Sequence, residues 1–239
     1  MPLALPAALC MAFLGASPPP AGQAPLPPCG KQATGAQEVD VAVEFLGVEG
    51  ALLDNVRALS SLHRLSASAD MNPDMVARLV QRAPGEARTA LRPFGYYEPR
   101  VETQLDRTED GWKAVVKIDP GTPVVLVAQE IEVTGPGRDE GFMRRALERS
   151  PLRTGERLSH SAYDQLKGEL LRAALANGFL DAEFTASELA VDPAARTARA
   201  RLTLETGERY RFGPTTIEQS VVRDSLVRRY LRFREGDWY

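Results

Sequence analysis

Cysteine is nearly absent from this 239-residue chain: Cys10 and Cys29 are the only two, and both precede the first patterned strand. A disulfide framework and a cysteine zinc site are thereby excluded from whatever folds after them. Histidine is as scarce, with His63 placed after an apolar helical stretch and His160 in a polar loop, too few for a metal cluster. The spacings G-x-S-x-G, H-E-x-x-H and the phosphate-binding glycine loop are all missing. No acid and nucleophile surround either histidine, so neither an enzyme nor a bound cofactor is expected. A basic excess is lacking too: 29 Lys and Arg stand against 32 Asp and Glu, a net charge of -3. Proteins that neutralise nucleic-acid phosphates show the opposite balance, so no nucleic-acid partner is expected. Nor is there the long series of alternating strands that a membrane barrel requires.

The N-terminus carries the apolar stretch Leu3–Leu14, too short to cross a bilayer as a settled helix. Small residues and a proline-rich run, Pro18 to Pro28, come next. This pattern predicts an export signal over 1–24 and a flexible spacer over 25–38. It departs from the usual signal in having no base ahead of the apolar core; the first is Lys31. Cys10 falls inside the signal-like stretch, which makes a lipid anchor the less economical reading.

What the chain does have is a repeat. Val43-Glu44-Phe45-Leu46-Gly47, Ile131-Glu132-Val133-Thr134-Gly135 and Ile217-Glu218-Gln219-Ser220 share an apolar-Glu-apolar strand pattern. The copies start at positions 43, 131 and 217, longer than usual solenoid periods and enough for a small core each. One glutamate per copy cannot form a paired acid/base site, and a solvent-facing strand position accounts for all of them.

In the first copy Val39, Val41, Val43 and Phe45 alternate with polar or small residues, predicting a half-buried strand. Leu52, Leu53, Val56, Leu59 and Leu62 form one helical stripe, and Asn72-Pro73 opens a second helix. Pro84-Gly85 is expected to kink or split it. Gly95 ends the helix in a left-handed conformation, with Tyr96 and Tyr97 folding back on the helix-to-strand corner. Val101, Thr103 and Leu105 make the next strand, Asp106 to Gly111 a turn, and Trp112, Ala114, Val116 and Ile118 the return. The second copy has a strand at Val125 to Val133, a short helix at Phe142 to Leu147 and a long helix lined by Tyr163, Leu166, Leu170, Ala174 and Leu175. Gly178-Phe179-Leu180 takes the place of Gly95-Tyr96-Tyr97, and a hairpin turns around Asp192-Pro193. The third has a strand over Tyr210 to Ile217, a helix carrying Val222, Leu226, Val227, Tyr230 and Leu231, and a loop, Phe233 to Tyr239, matching the loop around Gly155. The fold class expected is α+β: tandem β-α-α-β-β domains at 39–120 and 121–206, with the front half of a third at 207–239 and no β-barrel.

Strand-helix-helix-strand-strand units with an F-x-x-G-D/E loop before the long helix and glycine-aromatic after it resemble POTRA (polypeptide-transport-associated) domains. Gly95-Tyr96-Tyr97-Glu98-Pro99, Pro120-Gly121-Thr122-Pro123-Val124 and Gly207-Glu208-Arg209-Tyr210-Arg211-Phe212-Gly213 look more specifically like the TamA family, the outer-membrane subunits of the translocation and assembly module. The resemblance runs from Val39 to Tyr239. It implies a periplasmic arm at the outer membrane of a Gram-negative bacterium, joined to a C-terminal barrel. It also implies an inner-membrane partner resembling TamB, and a role in inserting autotransporters and other barrel proteins or in moving lipid outward. The barrel and the rest of the third domain are not in this sequence, so the chain reads as an N-terminal portion.

Two features are candidate binding sites. The edge strands Glu98 to Leu105 and Asp181 to Leu189 offer Val101, Thr103, Leu105, Ala182 and Phe184 for main-chain pairing with unfolded outer-membrane substrates; the alternative is edges that are solvated or covered. Arg228, Arg229 and Arg232 belong to a basic run that faces anionic lipid or a barrel rim, or is a solvated helix face. The loops at Gly155 and Gly236 are read as turns. Rival readings are the arm of a two-partner-secretion transporter, a cell-envelope interaction module, and a non-functional fragment.

Overall fold

The computed structural model describes residues 40–68, 71–109 and 111–239. The expected signal, the spacer and the first strand residue Val39 lie outside the described residues. The described residues from Asp40 to Tyr239 belong to one compact unit. Two small sheets are built within it. The first domain contains β1 (Val41–Leu46), α1 (Gly50–Leu59), α2 (Ser61–Leu65), α3 (Pro73–Leu91), a single 3-10 turn (Arg92–Phe94), β2 (Arg100–Thr108) and β3 (Gly111–Asp119). The second contains β4 (Val125–Thr134), α4 (Gly141–Glu148), α5 (His160–Leu175), β5 (Glu183–Asp192) and β6 (Thr197–Glu205), and α6 (Asp224–Tyr230) follows it.

The two sheets have one topology. In each, the last strand lies in the centre, parallel to the first strand and antiparallel to the hairpin partner: β1-β3-β2 and β4-β6-β5. Period-two patterning sets which residues face in. Val41, Val43 and Phe45 turn toward the helices, while Glu44 stays outside and pairs with Lys113 of β3 at 2.9 Å. The helices cover one face of each sheet, giving two separate cores. The first gathers Val56, Leu62, Val76, Leu91, Val116 and Ile118; the second gathers Met143, Leu158, Leu166, Leu170, Leu202 and Leu204. Each such side chain contributes about 1.5–3 kcal/mol by leaving water. The expected α+β class and the helix-on-sheet layering are what the structure has.

Several local expectations are corrected. The first helical stripe is broken at Ser60, whose extended backbone (ψ 111°) ends α1 and caps α2, its Oγ accepting from the His63 amide at 3.2 Å. Glu86 of α3 secures the break, accepting from the Ser61 amide at 2.8 Å and its hydroxyl at 2.6 Å. Leu62 is thereby fully buried while Leu59 is left 38% exposed. His160 opens α5 and does not lie in a loop as the sequence suggested, while His63 sits in α2, after the break at Ser60.

Pro84 does not split α3, which runs unbroken through it. The buried stripe Val76, Leu79, Ala83, Ala87, Ala90, Leu91 continues on both sides of the proline. Burying that stripe outweighs the one backbone hydrogen bond that proline removes. Asn72 starts the helix as expected, accepting from the Met75 amide at 3.0 Å.

The strand expected over Tyr210 to Ile217 does not form. The described residues there hold only an isolated bridge between Arg211 and Trp238. A strand needs a neighbour to take its backbone groups, and 213–217 has none among the described residues. The helix that follows is also shorter than expected, with Val222 and Leu231 outside α6.

Candidate functional site: open edge strands and the joint between domains

β2 is paired along one side only. Its register with β3 is unbroken from Arg100–Asp119 to Thr108–Gly111. The direction of its free backbone groups follows from the opposite side of β3. Trp112 gives its amide to the Asp40 carbonyl at 2.9 Å, on the β1 side. Backbone groups alternate along a strand, so 112, 114, 116 and 118 serve β1, and 113, 115, 117 and 119 serve β2. Their partners on β2 divide the same way. Val101, Thr103, Leu105 and Arg107 stand opposite Ile118, Val116, Ala114 and Trp112, and therefore turn their amides and carbonyls away from the sheet. The side chains of Val101 and Leu105 meanwhile pack on the first core. These candidates thus bring main-chain groups, not side chains, to the open edge. Glu102, Gln104 and Asp106 make the solvated face beside it, with the Gln104 amide donating to both Asp106 oxygens.

β5 is a poorer edge. Ala182 precedes the strand and gives its amide to the Phe179 carbonyl in a turn, so it is not part of the ladder. Phe184 is in the strand, but the register slips between Phe184 and Ala186. Thr206 donates to the Thr134 carbonyl of β4 at 3.1 Å, so Leu204, Leu202 and Ala200 face β4 by alternation, and their β5 partners Phe184, Ser187 and Leu189 face outward. The outward row therefore skips at the bulge. A bulge of this kind bends a strand and blunts an edge. Of the two candidate edges, only β2 is a regular template along its whole length.

The arginines of the third candidate are all exposed, and α6 buries none of its residues. Arg228 lines a shallow hollow with Leu231 and Phe233, while Val222, Leu226 and Tyr230 are exposed beside it.

The tyrosine pair does more than pack a corner. Gly95 takes the expected left-handed conformation (φ 85°), and Tyr96 returns its amide to the Leu91 carbonyl. Tyr96 then packs on the first core and Tyr97 on the second. The Tyr97 hydroxyl lies 2.7 Å from His160 Nε2 at the start of α5, and Arg157 donates to the Tyr96 hydroxyl at 3.3 Å. The backbone completes the joint: Val124 donates to the Gly95 carbonyl at 2.8 Å and Leu158 to the Val124 carbonyl at 2.9 Å. Further along, Leu126 donates to the Glu156 carbonyl and Gly155 to that of Leu126.

The same set recurs after the second domain. Tyr210 donates to Gly178, Tyr239 to Tyr210, Phe212 to Asp237 and Gly236 to Phe212, all between backbone groups at 2.8–3.1 Å. Aromatic and cationic side chains again surround it: Phe212 stacks on Phe233 at 3.9 Å, and Arg211 lies 3.3 Å from the centre of the Trp238 ring. Both glycine loops are thus structural parts of a joint, repeated once.

Burial depresses the basicity of His160, with Asp164 only partly opposing it, and raises the pKa of Tyr97, with Arg92 partly opposing. At neutral pH the imidazole is uncharged, and its Nε2 shares a hydrogen bond with the Tyr97 hydroxyl. Above its ordinary value of 6.5, folded and unfolded chains bind the same proton count at His160. Below it the unfolded chain protonates first, so stability owed to this residue is lost as pH falls from about 6.5 through the lower folded value. Urea unfolding at pH 8 and pH 5 checks this: the native chain is expected to lose more stability than His160→Gln. Equal losses would contradict it.

Among the described residues no group of histidines, cysteines and carboxylates is arranged to hold a metal. Comparison with known proteins matches residues 42–120 to the family described as POTRA domain TamA domain 1. The chain is similar to POTRA domains 3–5 of BamA from Haemophilus influenzae, at 17% identity over 84% of this chain and 79% of that one, TM-score 0.45. It is similar to the N-terminal domain of Omp85 from Thermosynechococcus elongatus, at 17% identity over 83% and 77%, TM-score 0.34. It also aligns with BamA from Haemophilus ducreyi lacking POTRA domains 1–3, at 15% identity over 73% of this chain and 30% of that one, TM-score 0.35. The family match makes the first domain POTRA-like, and the second domain repeats its sheet topology.

Proposed function

We propose that the chain is the periplasmic arm of a TamA-like outer-membrane translocation and assembly factor. In this reading it is a non-catalytic scaffold that receives unfolded barrel and autotransporter chains and docks a TamB-like inner-membrane partner. Residues 39–120 and 121–206 are its first two domains, and 207–239 opens a third. The observation that carries the reading is the regular outward row of backbone donors and acceptors at Val101, Thr103, Leu105 and Arg107, on the domain that matches the TamA family. A template of main-chain groups is indifferent to most of the sequence of its guest. That tolerance suits a factor that must accept many different β-strands before they close. The repeated backbone joint supports a stiff arm, because it fixes each domain to the next through hydrogen bonds that do not depend on side-chain rotamers.

Thr103→Pro tests the reading. It deletes one outward amide while leaving the ladder to β3 intact, a position where an edge strand tolerates proline. Site-specific photocrosslinking from residue 102 to an unfolded outer-membrane barrel protein is expected to fall about fivefold, the effect of losing one hydrogen bond of about 1 kcal/mol. Undiminished crosslinking in a variant with native circular dichroism would remove β2 as the receiving edge.

A further inference from the structure

The helical layer of the second domain carries a groove of about 400 Å³ between α4 and α5. Its lining has a pattern. Phe142, Arg145, Ala146 and Arg149 come from α4 and its C-terminal cap; Glu169, Arg172, Ala173 and Ala176 come from α5 and its cap. Each set is spaced i, i+3, i+4, i+7, one face of a helix. Two such faces side by side form the seat of a third helix, and alanines at the floor let its axis approach to about 8–10 Å. Among the described residues, none of the three guanidinium groups at Arg145, Arg149 and Arg172 is held by an ion pair or a side-chain hydrogen bond. Glu169 is occupied, its carboxylate accepting from Gln165 at 2.8 Å. The equivalent seam of the first domain differs: there Arg82 is paired with Glu86, which is itself committed to Ser61.

We infer that the α4–α5 groove is a docking site for an acidic amphipathic helix of a partner protein. The guest's apolar ridge lies on Phe142, Ala146, Ala173 and Ala176, and its flanking carboxylates meet the three arginines, whose planar forks suit carboxylate geometry. Helical spacing on both walls favours a helix over a lipid headgroup, which would need convergent cations without an extended seam. The site is independent of the β2 edge: it uses side chains on helices where the edge uses backbone on a strand.

The test uses the full 239-residue chain and a fluorescent 16-residue helical peptide bearing leucines at helical spacing flanked by glutamates, with a glutamine-for-glutamate counterpart. By fluorescence anisotropy the acidic peptide is expected to bind about tenfold more tightly than the neutral one, an advantage that shrinks with added salt. The exposed pair Arg145→Glu with Arg172→Glu is expected to weaken binding at least about tenfold. Ala173→Phe, which fills the floor and keeps every charge, should do the same, and Thr103→Pro should bind like the native chain. Equal binding of the neutral peptide, undiminished binding by either groove variant, or loss in Thr103→Pro would overturn the inference. So would phosphatidylglycerol vesicles that bind the native chain, displace the peptide and are released by the same arginine reversals, which would give the groove to lipid.

Discussion

Leu166→Ala is expected to destabilise the second domain by about 3 kcal/mol, within the range of about 2–5 kcal/mol for deleting a fully buried leucine side chain. Leu166 is completely buried on α5, one turn from Tyr163 and Leu170, in the cluster that holds Ala200, Leu202 and Leu204 of the central strand β6. A truncated side chain there cannot be replaced by collapse, because both α4 and α5 are already seated against the sheet and the residues around the gap are locked in the β6 ladder. Against a total stability of about 5–15 kcal/mol for a domain, such a loss is large. The two tryptophans make the measurement specific. Trp112 lies in β3 and packs on the first core, while Trp238 belongs to the joint after the second domain. Urea unfolding followed through Trp238 in a Trp112→Phe background should shift by the full amount. The same titration followed through Trp112 in a Trp238→Phe background should shift by less than about 1 kcal/mol, since the cores are separate and only the joint connects them. A common shift in both would mean that the two domains unfold as one cooperative body, and a shift under about 1 kcal/mol at Trp238 would contradict the core assignment itself.

Much of this architecture was legible in the residues because its causes are local. Val41, Val43 and Phe45 alternate, so the strand and its inward face followed from period two alone. Asn72-Pro73 announced a helix start and Gly95 a helix end, each through a conformational preference of the residue itself. Three of the misreadings involve a partner distant in sequence. Ser60 breaks the first helical stripe because Glu86, on another helix, accepts from Ser61. Pro84 leaves α3 intact because the buried alanines on either side of it find a sheet to pack on. Tyr97 belongs to the second core, not to its own corner, because His160 and the loop before α5 come to meet it. The open edge was found, but which of its residues turn their backbone outward required the Trp112–Asp40 hydrogen bond, and no side-chain pattern encodes that. The groove on α4 and α5 was present in the sequence as two i, i+3, i+4, i+7 sets; only the packing of the two helices makes them one site.

Gly95→Ala is expected to open the joint, at a cost of about 2–4 kcal/mol. Two penalties add at this position. A left-handed backbone costs an L-residue with a Cβ about 1–2 kcal/mol, and Gly95 holds φ at 85°. The added Cβ would also stand 2.7 Å from the Leu158 carbonyl oxygen and 3.4 Å from that of Val124, both backbone atoms of the next domain. Neither carbonyl can step aside alone, since Val124 is bonded to Gly95 itself and to Leu158. The chain must therefore give up the Val124–Gly95 hydrogen bond or the left-handed turn, and either choice separates Tyr96 from Arg157 and Tyr97 from His160. Gly155→Ala is the control that divides the two penalties. Gly155 has nearly the same dihedral, φ 89°, but open space where a Cβ would go. It should lose about 1–2 kcal/mol from the dihedral and no more. Amide hydrogen exchange reads the difference at single residues: protection at Val124 and Leu158 is expected to vanish in Gly95→Ala and to persist in Gly155→Ala. If the two variants exchange alike, the close approach of the domains at Gly95 is not what fixes them, and the stiffness of the joint must come from side chains. Because Gly178 repeats the geometry, with its missing Cβ 2.7 Å from the Tyr239 carbonyl oxygen, Gly178→Ala should release 207–239 in the same way. A joint used twice, with the same glycine and the same ladder of backbone bonds, makes the spacing of successive domains a property of the main chain.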